Sequence, residues 1–344
     1  MLRRALVLLV ILASGLAIAA SFRSLSRPPR ASADPLVEVE VEPVPLDPSD
    51  PTRSSVGSLL YRGGLSIRSA DPRFGGLSDL RVSPDGARLL AVSDCGRGLS
   101  ATLTYGPDGR LAGLAEARLV DLGSSRTGPN ALDAESLVWG PEGLEVGFEG
   151  RAGRRAYALE PAFAGPARRL PSPPGLGVCA RNGGLETMTA TAGGQRLLVC
   201  EARRAPSGTV PAWVGQGETW APREYPLHFD GGWMGEPFRP TGAALLPGGD
   251  LLVVERRFPP AGARIVRLPR AALDESGPLR PAEVARMEAP LTLDNFEGVE
   301  ARRDGSSGRT LVYLLSDDNG CAKEGATPLP GLQRTLLLMF SLDE

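Results

Sequence analysis

The chain has 344 residues, 42% of them hydrophobic and 23% charged, which is typical of a folded globular protein. Its 38 lysines and arginines against 40 acidic residues give a net charge of −2, so no basic surface is available for nucleic acid. The single histidine, His228, excludes metal sites built from several histidines.

The N-terminal residues 1–20 are typical of an export signal. Two arginines precede an apolar run over residues 5–20, and Ala17-Ile18-Ala19 offers a small-residue cleavage site. This pattern predicts a periplasmic or secreted protein. The alternative is an uncleaved segment that anchors the protein to the inner membrane, which would be its one contact with a membrane.

A proline-rich stretch follows the signal and predicts a linker over residues 21–56, because such a composition extends easily and packs poorly. The remaining residues, 57–344, are expected to form one domain, and we expect a monomer.

Within the domain, five segments repeat a pattern of strand, tight turn and strand. Turn sequences such as Pro84-Asp85-Gly86 and Pro247-Gly248-Gly249 favour chain reversal, and most second strands are nearly continuous apolar runs. The segments are 75–94, 133–149, 183–201, 239–255 and 295–317. Aligned positions lie 57, 51, 55 and 56 residues apart, which is enough for a four-stranded blade.

The repeats predict an all-β fold, a β-propeller of five or six four-stranded blades closed by an N-terminal strand. The last repeat needs a partner strand, and residues 56–67 could supply it from the N-terminus. A sixth blade would have to lie in the irregular stretch 203–238. The aromatic residues over 211–238 form either a lid over a channel mouth or a satellite core, and His228 among them has no fixed partner for a role as general base.

Two positions of each repeat come to the same end of a blade, because the start of the first strand and the end of the second lie together in an antiparallel hairpin. The first position holds Ser78, Glu135, Glu186, Thr241 and Glu297, and the second holds Asp94, Glu149, Glu201, Glu255 and Asp317. Eight of these ten residues are carboxylates. We expect them to surround one mouth of a central channel, where their mutual repulsion calls for a bound cation or for protonation.

Oxygen ligands without histidine favour Ca²⁺, with Mg²⁺ as the second choice. The predicted metal ligands are Asp94, Glu135, Glu186, Glu201, Glu255, Glu297, Asp317 and Asp318. The alternative is that these carboxylates cap backbone N–H groups and pair with arginines.

Arginines near the same mouth suit an anionic substrate, since a guanidinium matches the geometry of phosphate or carboxylate. The predicted substrate-binding residues are Arg256, Arg257 and Arg334, and Arg81, Arg181 and Arg203 could also reach the mouth. Ordinary ion pairs with the carboxylates are the alternative interpretation.

Four cysteines in an exported chain favour disulfides. Cys179 precedes the first strand of the third repeat and Cys200 ends the second, so we predict that they pair. Cys95 and Cys321 belong to repeats that ring closure makes neighbours, and they form the second predicted pair. Free buried thiols are the alternative.

Taken together, the repeated segments resemble the bacterial family described as esterase-like activity of phytase. The residues that carry the resemblance are Asp133-Ala134-Glu135, Asn182-Gly183-Gly184-Leu185-Glu186, Pro240-Thr241, 251–258, Asn295-Phe296-Glu297-Gly298, 316–319 and 333–337. The resemblance extends over about residues 58–342. It implies a phytase-like propeller whose repeated acidic residues hydrolyse phosphoesters or other esters. The sequence departs from the acidic pattern at Ser78 and Thr241. The end of the second repeat, Glu149-Gly150, matches the pattern only weakly.

As an enzyme of this kind, the protein would act on a small anionic or ester substrate by metal-assisted hydrolysis. The candidate catalytic residues are Glu135, Glu186, Glu255, Glu297 and Asp317. The alternatives are a calcium-dependent lactonase and a non-enzymatic propeller that binds a ligand of the cell envelope.

Overall fold

A computed structural model describes residues 36–123, 132–149, 153–180, 183–203, 208–230, 235–320 and 333–343. The predicted signal lies outside these residues. No helix in the described ranges is long and apolar enough to cross a membrane. The helical segments in these ranges are short: a 3₁₀ turn, Leu176–Val178, and α1, Ala271–Asp274.

The chain begins with three strands that complete the last sheet of the fold, β1 (Glu40–Pro43), β2 (Ser55–Val56) and β3 (Leu59–Arg68). Four antiparallel sheets of four strands follow in chain order. Blade I consists of β4 (Leu77–Val82), β5 (Arg88–Ser93), β6 (Arg97–Tyr105) and β7 (Leu111–Asp121). Blade II consists of β8 (Ala134–Gly140), β9 (Gly143–Phe148), β10 (Gly153–Tyr157) and β11 (Arg168–Leu170).

Blades III and IV have the same up-and-down order of strands. Blade III consists of β12 (Thr187–Ala190), β13 (Arg196–Val199), β14 (Thr209–Gln216) and β15 (Thr219–Pro226). Blade IV consists of β16 (Arg239–Leu245), β17 (Leu251–Arg257), β18 (Gly262–Leu268) and β19 (Ala282–Met287). The stretch over 203–238 therefore supplies β14 and β15 to blade III, and in its described part it forms no sixth blade.

Blade V joins the two ends of the domain. It contains β20 (Asn295–Arg303), β21 (Thr310–Asp317) and β22 (Thr335–Leu342), and β3 pairs antiparallel with β22. The predicted closure by an N-terminal strand is confirmed. β1 adds a further strand outside β3, and β2 forms a short hairpin with it.

The inner strands of the five blades contact one another in a closed ring, in the order β4, β8, β12, β16, β20 and again β4. This arrangement is a five-bladed β-propeller, as the repeats predict. One cluster of buried apolar side chains fills each interface between neighbouring blades. The second strands are buried on both faces, which explains their apolar runs.

Candidate active site at one mouth of the channel

A β-bulge near the start of four inner strands sets the direction of the first acidic position. The register shifts between Leu77 and Asp79, and the equivalent shifts leave one extra residue in β8, β16 and β20. The extra residues are Ser78, Glu135, Thr241 and Glu297, and Glu186 directly precedes β12. A bulge redirects a side chain locally, and bulges are common next to active sites.

The second acidic position lies on the second strand of each blade, opposite the residue two places before the first acidic position. The backbone N–H groups of Asp94, Glu149 and Glu201 donate to the carbonyls of Gly76, Asp133 and Gly184, at 2.9, 2.8 and 3.1 Å. In blade V, Asp317 pairs with Asn295, and in blade IV, Arg256 pairs with Arg239. The residue equivalent to the four carboxylates is therefore Arg256, and the sequence alignment of the fourth repeat at Glu255 is wrong by one residue.

The structure brings the remaining acids of both positions close enough to interact electrostatically at one mouth of the channel, which we call the acidic mouth. They are Asp94, Glu135, Glu149, Glu186, Glu201, Glu297 and Asp317, with Asp133 beside them. Oxygen atoms of Asp133, Glu135 and Glu149 all lie within 4.8 Å of one another. Burial raises the pKa of Glu135 well above its usual range, and the charges of Glu186, Asp133 and Glu297 raise it further. These three neighbours come from three different blades, so the mouth is a single electrostatic unit.

The other buried carboxyls of the acidic mouth are affected in the same direction. Burial followed by the charge of Glu201 raises the pKa of Glu186, and burial followed by the charge of Glu297 raises that of Asp317. Burial also raises the pKa of Glu297 to about 7, although Arg256 opposes the shift. Such a cluster favours a cation, because a positive charge restores the ionised forms.

Arg256 lies among these carboxylates and forms ion pairs with two of them. Its Nη2 lies 3.0 Å from Glu201 Oε1, and its Nε lies 3.3 Å from Glu297 Oε1. Burial lowers the pKa of Arg256, but Glu297, Glu201 and further carboxylates outweigh this effect and raise it. Asn295, which sequence reasoning did not select, donates from Nδ2 to Glu297 Oε1 at 2.8 Å.

Asp318 serves mainly as a backbone cap. Its Oδ1 accepts from the N–H groups of Gly76 and Gly320, both at 2.8 Å, and its Oδ2 accepts from the Thr335 hydroxyl at 3.0 Å. It thereby joins blade V to the segment that leads into blade I. For this residue the geometry favours the capping role over that of a metal ligand.

Arg334 lies at the rim and is exposed. Its backbone N–H donates to Asp294 Oδ2 at 3.0 Å, and its Nε lies 3.7 Å from the same oxygen. Arg203 pairs with Glu224 on β15 at 3.0 Å, and Arg181 lies outside the described residues. Arg203 thus forms an ion pair at the surface, and Arg334 pairs with Asp294, whose carboxylate is largely buried.

Glu255 faces away from the acidic mouth. It is fully buried, accepts from the Tyr225 hydroxyl at 2.7 Å and from Arg264 Nη1 at 2.5 Å, and so connects blade IV to blade III. Burial raises the pKa of Glu255 to about 7, against the lowering effect of Arg264. Glu255 thus belongs to a structural network that does not include the clustered acids.

Arg257 belongs to a separate cluster around the ring of Phe238. Its guanidinium lies 4.4 Å from the ring centroid, and Arg264 and Arg286 also lie over this ring. Arg257 pairs with Asp230 and with Glu288, the latter at 2.8 Å. The ring of His228 lies 6.0 Å from that of Phe238, and its Nε2 is 3.1 Å from Arg286, so it is placed as a member of this cluster.

Arg81 lies across the channel below the acidic mouth. Its Nη1 donates to the carbonyls of Leu80 and Val299, at 2.5 and 3.1 Å, and its Nη2 donates to those of Met188 and Ala243, at 3.1 and 3.3 Å. These four carbonyls belong to β4, β20, β12 and β16. Arg81 therefore lies across the channel and not at the rim, which the sequence left open as a possibility.

Two buried carboxylates accompany Arg81. Asp79 Oδ1 lies 3.2 Å from Arg81 Nη1, and Asp79 Oδ2 accepts from the backbone N–H of Leu137 on β8 at 2.8 Å. Glu300 Oε2 lies 3.4 Å from Arg81 Nε. Through Asp79 the network also reaches blade II, so it contacts all five inner strands.

A disulfide joins Cys179 and Cys200, as predicted. Cys200 directly precedes Glu201, so the bridge fixes the strand end that carries this carboxylate. In the other predicted pair, Cys321 lies outside the described residues.

Comparison with known sequences gives one family match: the family Phytase-like, described as esterase-like activity of phytase, matches residues 72–320. A comparison with curated proteins finds no significant match.

Three solved structures are similar to this chain at low sequence identity. Aldose sugar dehydrogenase from Streptomyces coelicolor in its PQQ-bound form is 13% identical, with a TM-score of 0.36, over 89% of this chain and 99% of that chain. Glutaminyl cyclase from Myxococcus xanthus is 11% identical, with a TM-score of 0.40, over 79% and 93%. The Cps50 (Swd1) β-propeller domain from Myceliophteria thermophila is 10% identical, with a TM-score of 0.32, over 92% and 99%.

Proposed function

The chain belongs to the family described as esterase-like activity of phytase, and on this premise we propose that it is an exported, metal-dependent hydrolase of phosphoesters or related anionic esters. The observation that carries the proposal is the acidic mouth, in which carboxylates from four blades converge and Arg256 lies among them. A divalent cation bound there would offset the repulsion between these acidic side chains and attract an anionic substrate.

The donor set of the acidic mouth fits calcium. Asp133, Glu135 and Glu149 offer carboxylate oxygens within 4.8 Å of one another, and Ca²⁺ prefers such oxygen ligands. These three residues would hold the ion, with Glu186 close to Glu135. When bound, the ion would supply Lewis acidity toward the ester and lower the pKa of water. Magnesium is the second choice, because it demands a more regular octahedral geometry.

Arg256 is the residue that we assign to the anionic group of the substrate. Its guanidinium lies at the mouth and offers N–H donors in a fork that matches phosphate or carboxylate. The side chain is a quarter exposed, so a ligand that enters the mouth can reach it. Glu201 and Glu297 hold it in place.

Glu297 is the proton acceptor that this arrangement favours. It lies beside Arg256, and Asn295 fixes its orientation by a hydrogen bond of 2.8 Å. A water molecule between the substrate and Glu297 would transfer a proton to this carboxylate as its oxygen bonds to the ester centre. The ester bond would then break, and the alcohol would leave with a proton from Glu297 or from solvent. Asp317 and Glu186 adjust the charge around this residue.

Export is part of the proposal, and two features support it. The N-terminal sequence has the pattern of a signal, and the disulfide between Cys179 and Cys200 is of a kind that persists in oxidising compartments. The protein would act in the periplasm or outside the cell.

The test is hydrolysis of a phosphomonoester, a phosphodiester and a carboxylic ester by the full chain, with calcium and with a chelator. We expect calcium-dependent turnover that Glu135→Gln removes. The matched control is Glu142→Gln in the same blade. Glu142 is exposed and forms an ion pair with Arg168, so this variant should be fully active. If no ester is hydrolysed while calcium still raises the unfolding temperature, the proposal of an enzyme is overturned in favour of a ligand-binding propeller.

A further inference from the structure

A second cavity opens at the other end of the channel and does not share residues with the acidic mouth. It has a volume of about 470 Å³ and receives side chains from all five inner strands, among them Val82, Trp139, Ala190, Leu245 and Ala301. These positions lie toward the ends of strands whose beginnings carry the acids. The volume is within the range of sites for small organic ligands.

The floor of this distal cavity is the network of Arg81. Arg81 and Glu300 both line the cavity, and Arg81 separates it from the acidic mouth by its bonds across the channel. Above this polar floor the walls are mainly apolar, with the half-buried indole of Trp139 as the largest side chain. The cavity thus suits the apolar body of a ligand.

Two arginines, Arg302 and Arg303, complete the lining. Within the described ranges, no carboxylate lies within ion-pair distance of either guanidinium, although most other arginines of the fold are paired. An apolar cavity with two such arginines is complementary to a ligand with an apolar body and an anionic group.

Arg302 is held in place before any ligand binds. Its Nε donates to the hydroxyl of Tyr313 at 3.1 Å, and that hydroxyl lies 3.0 Å from the hydroxyl of Tyr105. Gly86 has a φ of +80°, and a Cβ at this position would lie 2.3 Å from Arg302 Nη2. The turn therefore needs glycine both for its backbone and to leave room for Arg302, and a fixed guanidinium loses little freedom when it binds an anion.

We propose that the distal cavity binds a small amphipathic organic anion, with its apolar part against Trp139 and Ala190 and its carboxylate or equivalent anionic group at Arg302 and Arg303. The site is independent of ester hydrolysis at the acidic mouth. Arg303 is exposed and approaches the anion from solvent, whereas Arg302 is fixed by Tyr313.

The experiment titrates the full chain with 8-anilinonaphthalene-1-sulfonate, an aromatic sulfonate whose fluorescence rises in apolar surroundings, and then displaces it with octanoate. We expect saturable binding of one equivalent. Arg303→Gln should weaken it about tenfold, because it removes a charged donor. Ala190→Phe should abolish it by filling the cavity. Arg168→Gln, another exposed arginine away from the cavity, is the control and should bind as the wild type does.

Two results of this experiment would overturn the proposal. No saturable binding up to about 1 mM, which corresponds to a very weak site, would overturn it. Unchanged affinity in Arg303→Gln, or binding that persists in Ala190→Phe, would place the probe elsewhere on the surface and would overturn it as well. The unfolding temperature of each variant, measured in parallel, should stay near that of the wild type, and Trp139→Phe provides a second change in the wall if Ala190→Phe does not fold.

Discussion

Arg256 and Glu201 form an ion pair of 3.0 Å between blades IV and III, at the position where four other blades carry a carboxylate. Arg256 partly neutralises the side of the acidic mouth around Glu297. Asp133, Glu135 and Glu149 form the side that offers clustered carboxylate oxygens to a cation. A substrate anion can approach that neutralised side without facing a closed ring of like charges.

Arg256→Gln should selectively impair anionic substrates. We expect KM for a phosphomonoester to rise about tenfold, because a charge-assisted contact is lost, while KM for a neutral carboxylic ester stays within about twofold. Calcium should bind at least as tightly as in the wild type, since a positive charge leaves the cluster. Steady-state kinetics on both substrates test this. Arg168→Gln, which removes an exposed arginine that pairs with Glu142 in blade II, serves as the control, and an equal rise in KM for the two esters would refute the role of Arg256.

Glu255→Gln should leave calcium binding unchanged, although Glu255 directly precedes Arg256 in the sequence. The glutamine can still accept from Tyr225, so we expect the unfolding free energy to fall by about 1 kcal/mol through the weakened contact with Arg264. Calcium titration and chemical denaturation measure the two effects. A loss of calcium affinity similar to that of Glu135→Gln would mean that Glu255 faces the acidic mouth after all.

Arg81→Met should strongly destabilise the propeller. The substitution leaves Asp79 and Glu300 buried without their cation and removes hydrogen bonds to four inner strands, so we expect a loss of about 3–5 kcal/mol. Arg88→Met, which breaks an exposed pair with Glu160, should cost no more than about 1 kcal/mol. Denaturant unfolding compares them, and equal losses would contradict a central role of Arg81.

Glu300→Gln should reduce the pH dependence of stability. Burial raises the pKa of Glu300 to about 7, above its usual value of 4.5, despite the opposing charge of Arg81. The folded state therefore binds more protons than the unfolded state between about pH 4.5 and 7, and the contribution of Glu300 to stability is lost as the pH rises through this window. We expect a smaller fall in unfolding free energy from pH 5 to pH 7.5 in the variant. An identical slope in both proteins would exclude Glu300 as the titrating group.

Much of the fold can be predicted from the sequence, because its signals are local. Turns such as Pro84-Asp85-Gly86 and the apolar second strands repeat at a regular spacing, and both follow from elementary properties of the backbone and of buried sheets. The region of β14 and β15 was harder to predict. Pro222 and Pro226 argue against a strand, yet they are tolerated because β15 is the outermost strand of its blade.

The candidate site is harder to predict in detail, because it depends on register. Glu255 and Arg256 are neighbours, and a shift of one residue sends either side chain to the opposite face of the sheet. The bulge at Thr241 sets this register, and no residue type in the sequence indicates that a bulge occurs there. The place of Arg81 was left open for another reason: its partners are carbonyls of four strands that meet only when the ring closes.

Calorimetric titration of calcium, and then of magnesium, into the full chain and into Glu135→Gln shows whether the acidic mouth is a divalent-cation site. We expect saturable binding by the wild type, a loss of at least about tenfold in affinity for Glu135→Gln, and wild-type affinity for the control Glu142→Gln. Absence of calcium and magnesium binding by the wild type, or equal affinity in Glu135→Gln, would contradict the assignment of a divalent-cation site.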